Sequence, residues 1–208
     1  MTERGMIFNS EMVRAILDGR KTQTRRPIKF PFKDRNLGCE LSGNELAGEL
    51  SAGNYLNSPF GKPSDRIWVR ETFQGPLFDF DQMDAYCKDS TPFEKAQFCI
   101  YKADGKPAPE FFDADDNLHC CWRPSIHMPR WASRITLEIT DVRVERLNAI
   151  TESDAEAEGI TDTGFGDLLV DGYRYLWKSI YGDDSWQVNP WVWVIEFKRI
   201  GGDGHATD

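Results

Sequence analysis

The sequence predicts an α+β fold: a small β-barrel or curled sheet with flanking helices and two long insertions. Three observations carry this expectation. Strand-like segments come from distant parts of the chain, at 67–70, 135–139 and 191–198. Short helical patterns lie between them without regular strand–helix alternation, which argues against a parallel doubly wound sheet. Two stretches, about 28–63 and 73–130, show no sustained periodicity and are rich in turn-forming residues. A chain of 208 residues is then most simply one domain over 1–200, followed by a disordered tail at 201–208.

Met6, Ile7 and Phe8 form a short apolar lead-in. A helix follows. Asn9 is a good N-cap, and Phe8 and Val13 occupy the N′ and N4 positions of a hydrophobic staple. Met12, Val13, Ile16 and Leu17 repeat at helical spacing, and Gly19 supplies the stop. The first insertion reads as a long loop. Asp65 and Arg66 then open a strand that ends at Glu71 and Thr72.

In the second insertion, Asp113, Asp115 and Asn117 suggest a calcium loop, but Leu118 replaces the glycine at position six and Pro124 stands at position twelve. Calcium is therefore not expected. His119, Cys120, Cys121 and His127 match no standard zinc spacing, so buried thiols and a structural histidine are expected rather than a metal site. No metal and no cofactor enter the prediction.

Beyond Trp131, Ile135, Leu137 and Ile139 alternate with Thr136, Glu138 and Thr140, as in a half-buried strand. Val142 and Val144 are out of phase, so a bulge or turn is expected near Thr140 and Asp141. Thr151 and Asp154 form a capping-box pattern that opens a short helix closed by Gly159. A longer helix places Phe165, Leu168, Leu169, Tyr173, Leu176, Trp177 and Ile180 on one stripe and ends at Gly182. The segment 191–198 starts after Pro190 and is apolar enough for a central strand.

The chain is 40% hydrophobic and 28% charged, as in soluble globular proteins. It has no apolar run of membrane-spanning length and no signal-peptide pattern, so a cytoplasmic protein without a membrane partner is expected. Five cysteines, an odd number without a regular framework, agree with a reducing compartment. A net charge of −9 argues against broad coating of duplex DNA. The charge is uneven: the first 36 residues carry nine Lys/Arg against four Asp/Glu, a net +5, which leaves −14 for the rest. A basic patch on an acidic body suits a confined anionic ligand or one nucleotide of a longer strand.

The patch centres on residues 19–26, Gly-Arg-Lys-Thr-Gln-Thr-Arg-Arg, with four cations and two hydroxyls in eight positions. It leaves a helix anchored in the core, a good support for functional side chains. Arg20, Arg25 and Arg26 are candidate ligand-binding residues, as are Trp68, Trp131 and Arg134, which could stack on or hold a base. Core packing is the competing duty for the tryptophans.

The chain resembles the ASCH-domain family of the PUA-like superfamily, β-barrel domains linked to RNA and modified nucleosides. The resemblance rests on Gly19, Lys21 and Arg26 in the pattern Gly-x-Lys-x-x-x-x-Arg. It extends to Asp65-Arg-Ile-Trp-Val-Arg70, the strand 135–141, the helix 151–159 and the closing 193–198, together about half the chain. The insertions look like those of phage-encoded ASCH proteins. The Gly19–Thr24 block and Glu152-Ser-Asp-Ala-Glu-Ala-Glu158 are similar to segments of bacterial N4-acetylcytidine amidohydrolases.

Carried over residue by residue, that similarity implies Thr24 as nucleophile, Lys21 as proton acceptor and Glu158 as proton donor. A threonine hydroxyl needs such a base, and burial beside Arg25 and Arg26 would lower the lysine pKa towards that role. Glu158, in the last turn of its helix, is expected to have its pKa raised by the dipole. In a regular strand, however, Lys21 and Thr24 face opposite sides, so the mechanism needs a turn or bulge between them. The resemblance thus implies a nucleoside or RNA-base pocket, with hydrolysis of an acylated cytidine as the leading activity. A non-catalytic reader of a modified base or single-stranded RNA, and a ribonuclease, stay open.

Overall fold

Period-2 and period-3.6 patterning produces a mixed α+β structure with a mainly sheet core in the computed structural model, which describes residues 1–112, 117–161 and 168–201. Asp113 and Asp115 of the calcium-like stretch, Phe165 of the helical stripe and the tail beyond Gly201 lie outside the described residues. The elements in chain order are β1 (Glu3–Ile7), α1 (Ser10–Leu17), β2 (Gln23–Pro27), β3 (Phe32–Lys33), β4 (Glu40–Leu41), α2 (Gly43–Ser51) and β5 (Arg66–Arg70). Then come β6 (Phe73–Gln74), α3 (Met83–Lys88), β7 (Ile100–Tyr101), β8 (Glu110–Phe112), β9 (Leu118–Cys120), β10 (Thr136–Arg146), α4 (Glu152–Ala157), α5 (Leu169–Tyr181) and β11 (Trp191–Ile200), with 3-10 turns between several of them. The central sheet has the order β1-β5-β10-β11-β2.

The chain divides into two compact units. The first comprises Met1–Thr2, Ala15–Arg66 and Glu138–Lys198; the second comprises Glu3–Arg14, Ile67–Leu137 and the residues from Arg199.

In the first unit β11 pairs antiparallel with β2, with Ile195 opposite Thr24 and Val194 opposite Arg25. Val192, Trp193, Val194, Ile195 and Phe197 are all buried. Consecutive burial means that both faces of β11 are covered, which is why its sequence reads as a nearly unbroken apolar run. Helix α5 lays Tyr173 and Trp177 against Leu147, Ile150, Ala155, Val192 and Val194. Thr151 and Asp154 form the expected capping box of α4, and Gly159 ends it at φ 89°.

The expected closed barrel is not found. Among the described residues the sheet stays open, because the outer edge before β2 is met by the end of α4 rather than by a strand. Lys21 bridges Glu158 in antiparallel fashion, and the Thr22 amide donates to the Ala157 carbonyl at 2.8 Å.

Residues 28–63 are not the featureless loop the periodicity suggested. They form the β3–β4 hairpin and α2, whose N-cap Ser42 exchanges hydrogen bonds with Glu45. Leu46 and Leu50 of α2 are buried. The Ser-x-x-Glu capping signal was present in the sequence, but α2 is short and bounded by glycines, which blurred its period.

In the second unit, Met6 is buried in a real strand, β1, and Phe8 just beyond its end, where the sequence suggested only a lead-in. The Asn9 side chain caps α1 by accepting from the Met12 amide at 2.8 Å, as expected. Phe73, Cys99, Tyr101, Met128 and Ala132 build a separate apolar cluster from within and around the second expected insertion. Its short strand pairs, β6–β7 and β8–β9, form two-stranded sheets of their own. Cys120 and Cys121 are exposed, contrary to the buried thiols expected; Cys120 lies in β9, every residue of which is exposed. β10 runs unbroken through Thr140 and Asp141, yet its burial changes phase there, with Ile139 and Val142 both buried. The predicted phase slip is real, but it occurs within a continuous strand.

Replacing Ser42 by alanine removes the α2 N-cap and should lower stability by about 1 kcal/mol. Urea denaturation should show an earlier midpoint with an unchanged slope.

Candidate functional site

Gly19 ends α1 at φ 75°, and the amides of Arg20 and Lys21 both donate to the Ala15 carbonyl, at 2.9 and 3.0 Å. This tight turn reverses the chain and starts the approach to β2 with Lys21 facing inward. Lys21, just before β2, and Gln23 and Arg25 on one face of the strand all meet carboxylates of α4 and its end.

Lys21 has a side chain with no exposed surface and donates from Nζ to Glu158 Oε2 at 2.6 Å and to the Glu158 carbonyl at 2.9 Å. One ammonium thus neutralises the carboxylate and caps the carbonyl end of α4, offsetting the unfavourable placement of an anion there. Gly159 makes the approach possible: a Cβ at this position would lie 3.0 Å from Ala15 Cβ and 3.1 Å from Lys21 Cβ. Burial pulls the Lys21 pKa below the usual lysine range. The Glu158 charge and hydrogen bond oppose that shift, while Arg26 and Arg25 add to it.

Arg25, also without exposed side-chain surface, reaches Glu145 Oε1 at 2.7 Å, Asp154 Oδ2 at 3.3 Å and Glu158 Oε1 at 3.4 Å. Arg143 joins from β10, contacting Asp154, Glu145 and Glu196. Gln23 Nε2 donates to Asp154 Oδ1 at 3.2 Å. Tyr173 is buried with its ring 5.9 Å from Arg25 Cζ; burial and then the Glu158 charge raise its phenol well above the ordinary range. Sequence reasoning missed Glu145, Asp154, Arg143 and Tyr173 as members of this network. The alternate spacing of Lys21, Gln23 and Arg25 was the available signal, since three polar side chains on one buried strand face require polar partners.

Lys21 and Glu158 are therefore brought together, and Arg25 joins them. Thr24 is buried on β2 opposite Ile195, on the other face by strand alternation, and no hydrogen bond among the described residues joins it to Lys21. Arg25, next to Thr24 in β2, faces the Lys21–Glu158 pair, so strand alternation turns the Thr24 side chain away from it. Arg26 lies opposite Trp193 on the same face as Thr24.

Arg20 remains at the surface, donating to the Gly159 carbonyl at 3.2 Å and to Asp18 at 2.9 Å. With Gly19 and Thr22 it lines a pocket of about 520 Å³ that is completed by Ser153, Glu156 and Ala157 of α4 and by Ile160, Thr161 and Leu169. Lys21 is not part of this lining; it sits behind it.

Trp68, Trp131 and Arg134 belong to the second unit and have their own partners there. The Arg70 and Arg130 guanidinium carbons lie 5.4 and 5.9 Å from the Trp68 ring, and bare Gly5 leaves room for the indole. Trp131 packs on the Phe73 cluster. Arg134 forms a fork to both Glu71 oxygens at 3.0 and 3.1 Å and lies 3.9 Å from the Tyr101 ring centroid. His119 stacks on Phe111, with ring centroids 5.4 Å apart. Among the described residues, no cluster of three or more His, Cys, Asp or Glu is arranged to hold a metal ion, and no helix is long and apolar enough to cross a membrane.

Two predictions follow from the charge network. Glu158→Ala strands a buried ammonium and should cost about 3–5 kcal/mol, whereas Lys21→Met leaves Glu158 held by Arg25 and should cost clearly less. Chemical denaturation of both variants measures the asymmetry. Asp154 is the pH-sensitive member: burial works against its charge, but hydrogen bonds from Thr151, the Arg25 charge and Gln23 hold it at about 2. Because this folded value lies below the unfolded one of 3.8, its contribution is present above about pH 4 and lost as pH falls towards 2. Asp154→Asn should therefore lower stability at pH 7 by about 1–2 kcal/mol and flatten the acid limb of a stability–pH profile.

No family model and no curated protein matches the sequence. Among solved structures, the chain is similar to a protein from Enterococcus faecalis V583 described by the family model DUF984, at 11% identity and TM-score 0.40, over 100% of this chain and 86% of that one. It likewise resembles the ASCH domain from Lactobacillus crispatus JV V101, at 11% identity and TM-score 0.40, over 95% of this chain and 79% of that domain.

Proposed function

We propose that the chain binds a nucleoside, or one base of a single-stranded RNA, in the pocket between the Gly19–Thr22 segment and α4. The observation that carries this reading is a pre-built pocket of suitable size. Its volume of about 520 Å³ falls in the range of small-molecule sites, and it combines apolar Ile160 and Leu169 with the polar side chains of Arg20, Thr22, Ser153 and Glu156. A base needs that mixture, apolar surface for its faces and hydrogen-bonding groups for its edge. The buried Lys21–Glu158 pair, the Thr22–Ala157 bond and the Arg20–Gly159 bond clamp the two sides together, so little ordering cost remains for binding.

The second reading is the amidohydrolase implied by the motif resemblance, and the lowered pKa of buried Lys21 favours it. In that reaction the Thr24 hydroxyl attacks the amide carbon, Lys21 accepts its proton and Glu158 protonates the departing amine. Water then cleaves the acyl ester. The orientation of Thr24 opposes this order of events, since a strand rotation must precede the first proton transfer. In the binding reading, Lys21 and Glu158 instead serve as the buried clamp.

Calorimetric titration with cytidine, N4-acetylcytidine and a short single-stranded RNA tests the proposal, alongside an assay for acetate release. Binding weakened about fivefold or more by Arg20→Ala or Thr22→Val, without turnover, is the expected result. Acetate release that disappears in Thr24→Val and Lys21→Arg would establish the hydrolase instead. Failure of all three ligands to bind would overturn both.

A further inference from the structure

We infer that the pocket selects a base carrying an exocyclic amine beside a ring or carbonyl acceptor, cytosine, guanine or adenine rather than uracil, and that Glu156 makes the selection. This inference rests on the binding reading above and narrows it to a ligand class. The pocket holds one side chain of each charge, Arg20 and Glu156. Arg20 is committed through two hydrogen bonds, to Asp18 and to the Gly159 carbonyl, which leaves N–H groups of its five-donor guanidinium for a ligand. Glu156 is exposed, and among the described residues its carboxylate has no hydrogen-bond or ion-pair partner. Its neighbours Glu158 and Asp154 are both tied into the buried network, so Glu156 is the α4 carboxylate in the lining that remains available to a ligand.

An unpaired carboxylate only accepts hydrogen bonds, and it repels phosphate. A terminal phosphate is therefore a poor occupant, even though the flanking segment is basic. The complementary edge must offer an N–H group to Glu156 and an acceptor to Arg20. Cytosine does so with its 4-amine beside N3, adenine with its 6-amine beside N1, and guanine with N1–H and its 2-amine beside O6. Uracil places carbonyl oxygens on both sides of its one N–H group, so a carboxylate there meets lone pairs on either flank. Ile160 and Leu169 contribute apolar surface for the ring faces and do not discriminate among bases.

The test is a titration of the full chain with two pairs: cytidine against uridine, in which a carbonyl replaces the amine and N3 gains a proton, and guanosine against inosine, which lacks only the 2-amine. Wild type should prefer the amine-bearing member of at least one pair by about tenfold or more. Glu156→Gln removes the charge while keeping a good helix former on an exposed position. It should reduce that preference severalfold, with an unchanged circular dichroism spectrum. Equal affinity for cytidine and uridine and for guanosine and inosine would overturn the inference while leaving the binding proposal standing. A preference unaffected by Glu156→Gln would overturn the role of Glu156. If none of the four nucleosides binds wild type, the binding proposal itself fails.

Discussion

A lysine ammonium buried against the carboxylate and the carbonyl of one residue, Glu158, is the constraint on which the first unit depends. Two charges removed from water cost several kcal/mol each unless their remaining hydrogen-bonding capacity is filled. Here one guanidinium nitrogen of Arg25 takes the second Glu158 oxygen, and Asp154 and Glu145 share the other. The network closes only if β2, β10 and the end of α4 hold their observed register. The pair is thus a device for specifying one arrangement more than for adding net stability.

This constraint also explains why the sheet does not close into a barrel on the β2 side. The position a further strand would take is filled by the last turn of α4, whose carbonyls accept from Thr22 and Lys21. A helix end can satisfy only a few backbone donors, so the contact is short and leaves a depression alongside it. That depression, lined by Arg20, Thr22 and Glu156, is the pocket. Packing, electrostatics and the pocket here share one origin.

The same network separates residues that adjacency in sequence would group together. Lys21 and Arg25 point into the buried network, Thr24 and Arg26 lie on the other face of the strand, and Arg20 stays at the surface. These five side chains of one short basic stretch therefore face three environments. A mechanism drawn from the linear motif assumes a single one. The second unit makes a similar point: Arg134 and Trp131 look like ligand-binding groups by type, yet an ion-pair fork to Glu71 and an apolar cluster occupy them.

The sequence by itself determined those elements whose cause is local. The Asn9 cap and Gly19 stop of α1, the capping box of α4, the Gly182 end of α5 and the apolar run of β11 each depend on residues within a few positions of one another. Lys21 and Glu158 were legible as functional candidates through motif resemblance, although spacing alone could not reveal that they touch. Elements such as α2, β1 and the two-residue strands escaped, because glycines at the start of and inside α2 weaken its pattern and the strands are short and held by distant partners. Only the tertiary structure decided which face of β2 each side chain occupies, that Asp154 and Glu145 complete the Arg25 site, and that Glu156 is left in a pocket. Those facts depend on strand pairing and on the seating of a helix end. Both are long-range free-energy balances that no local window of sequence encodes.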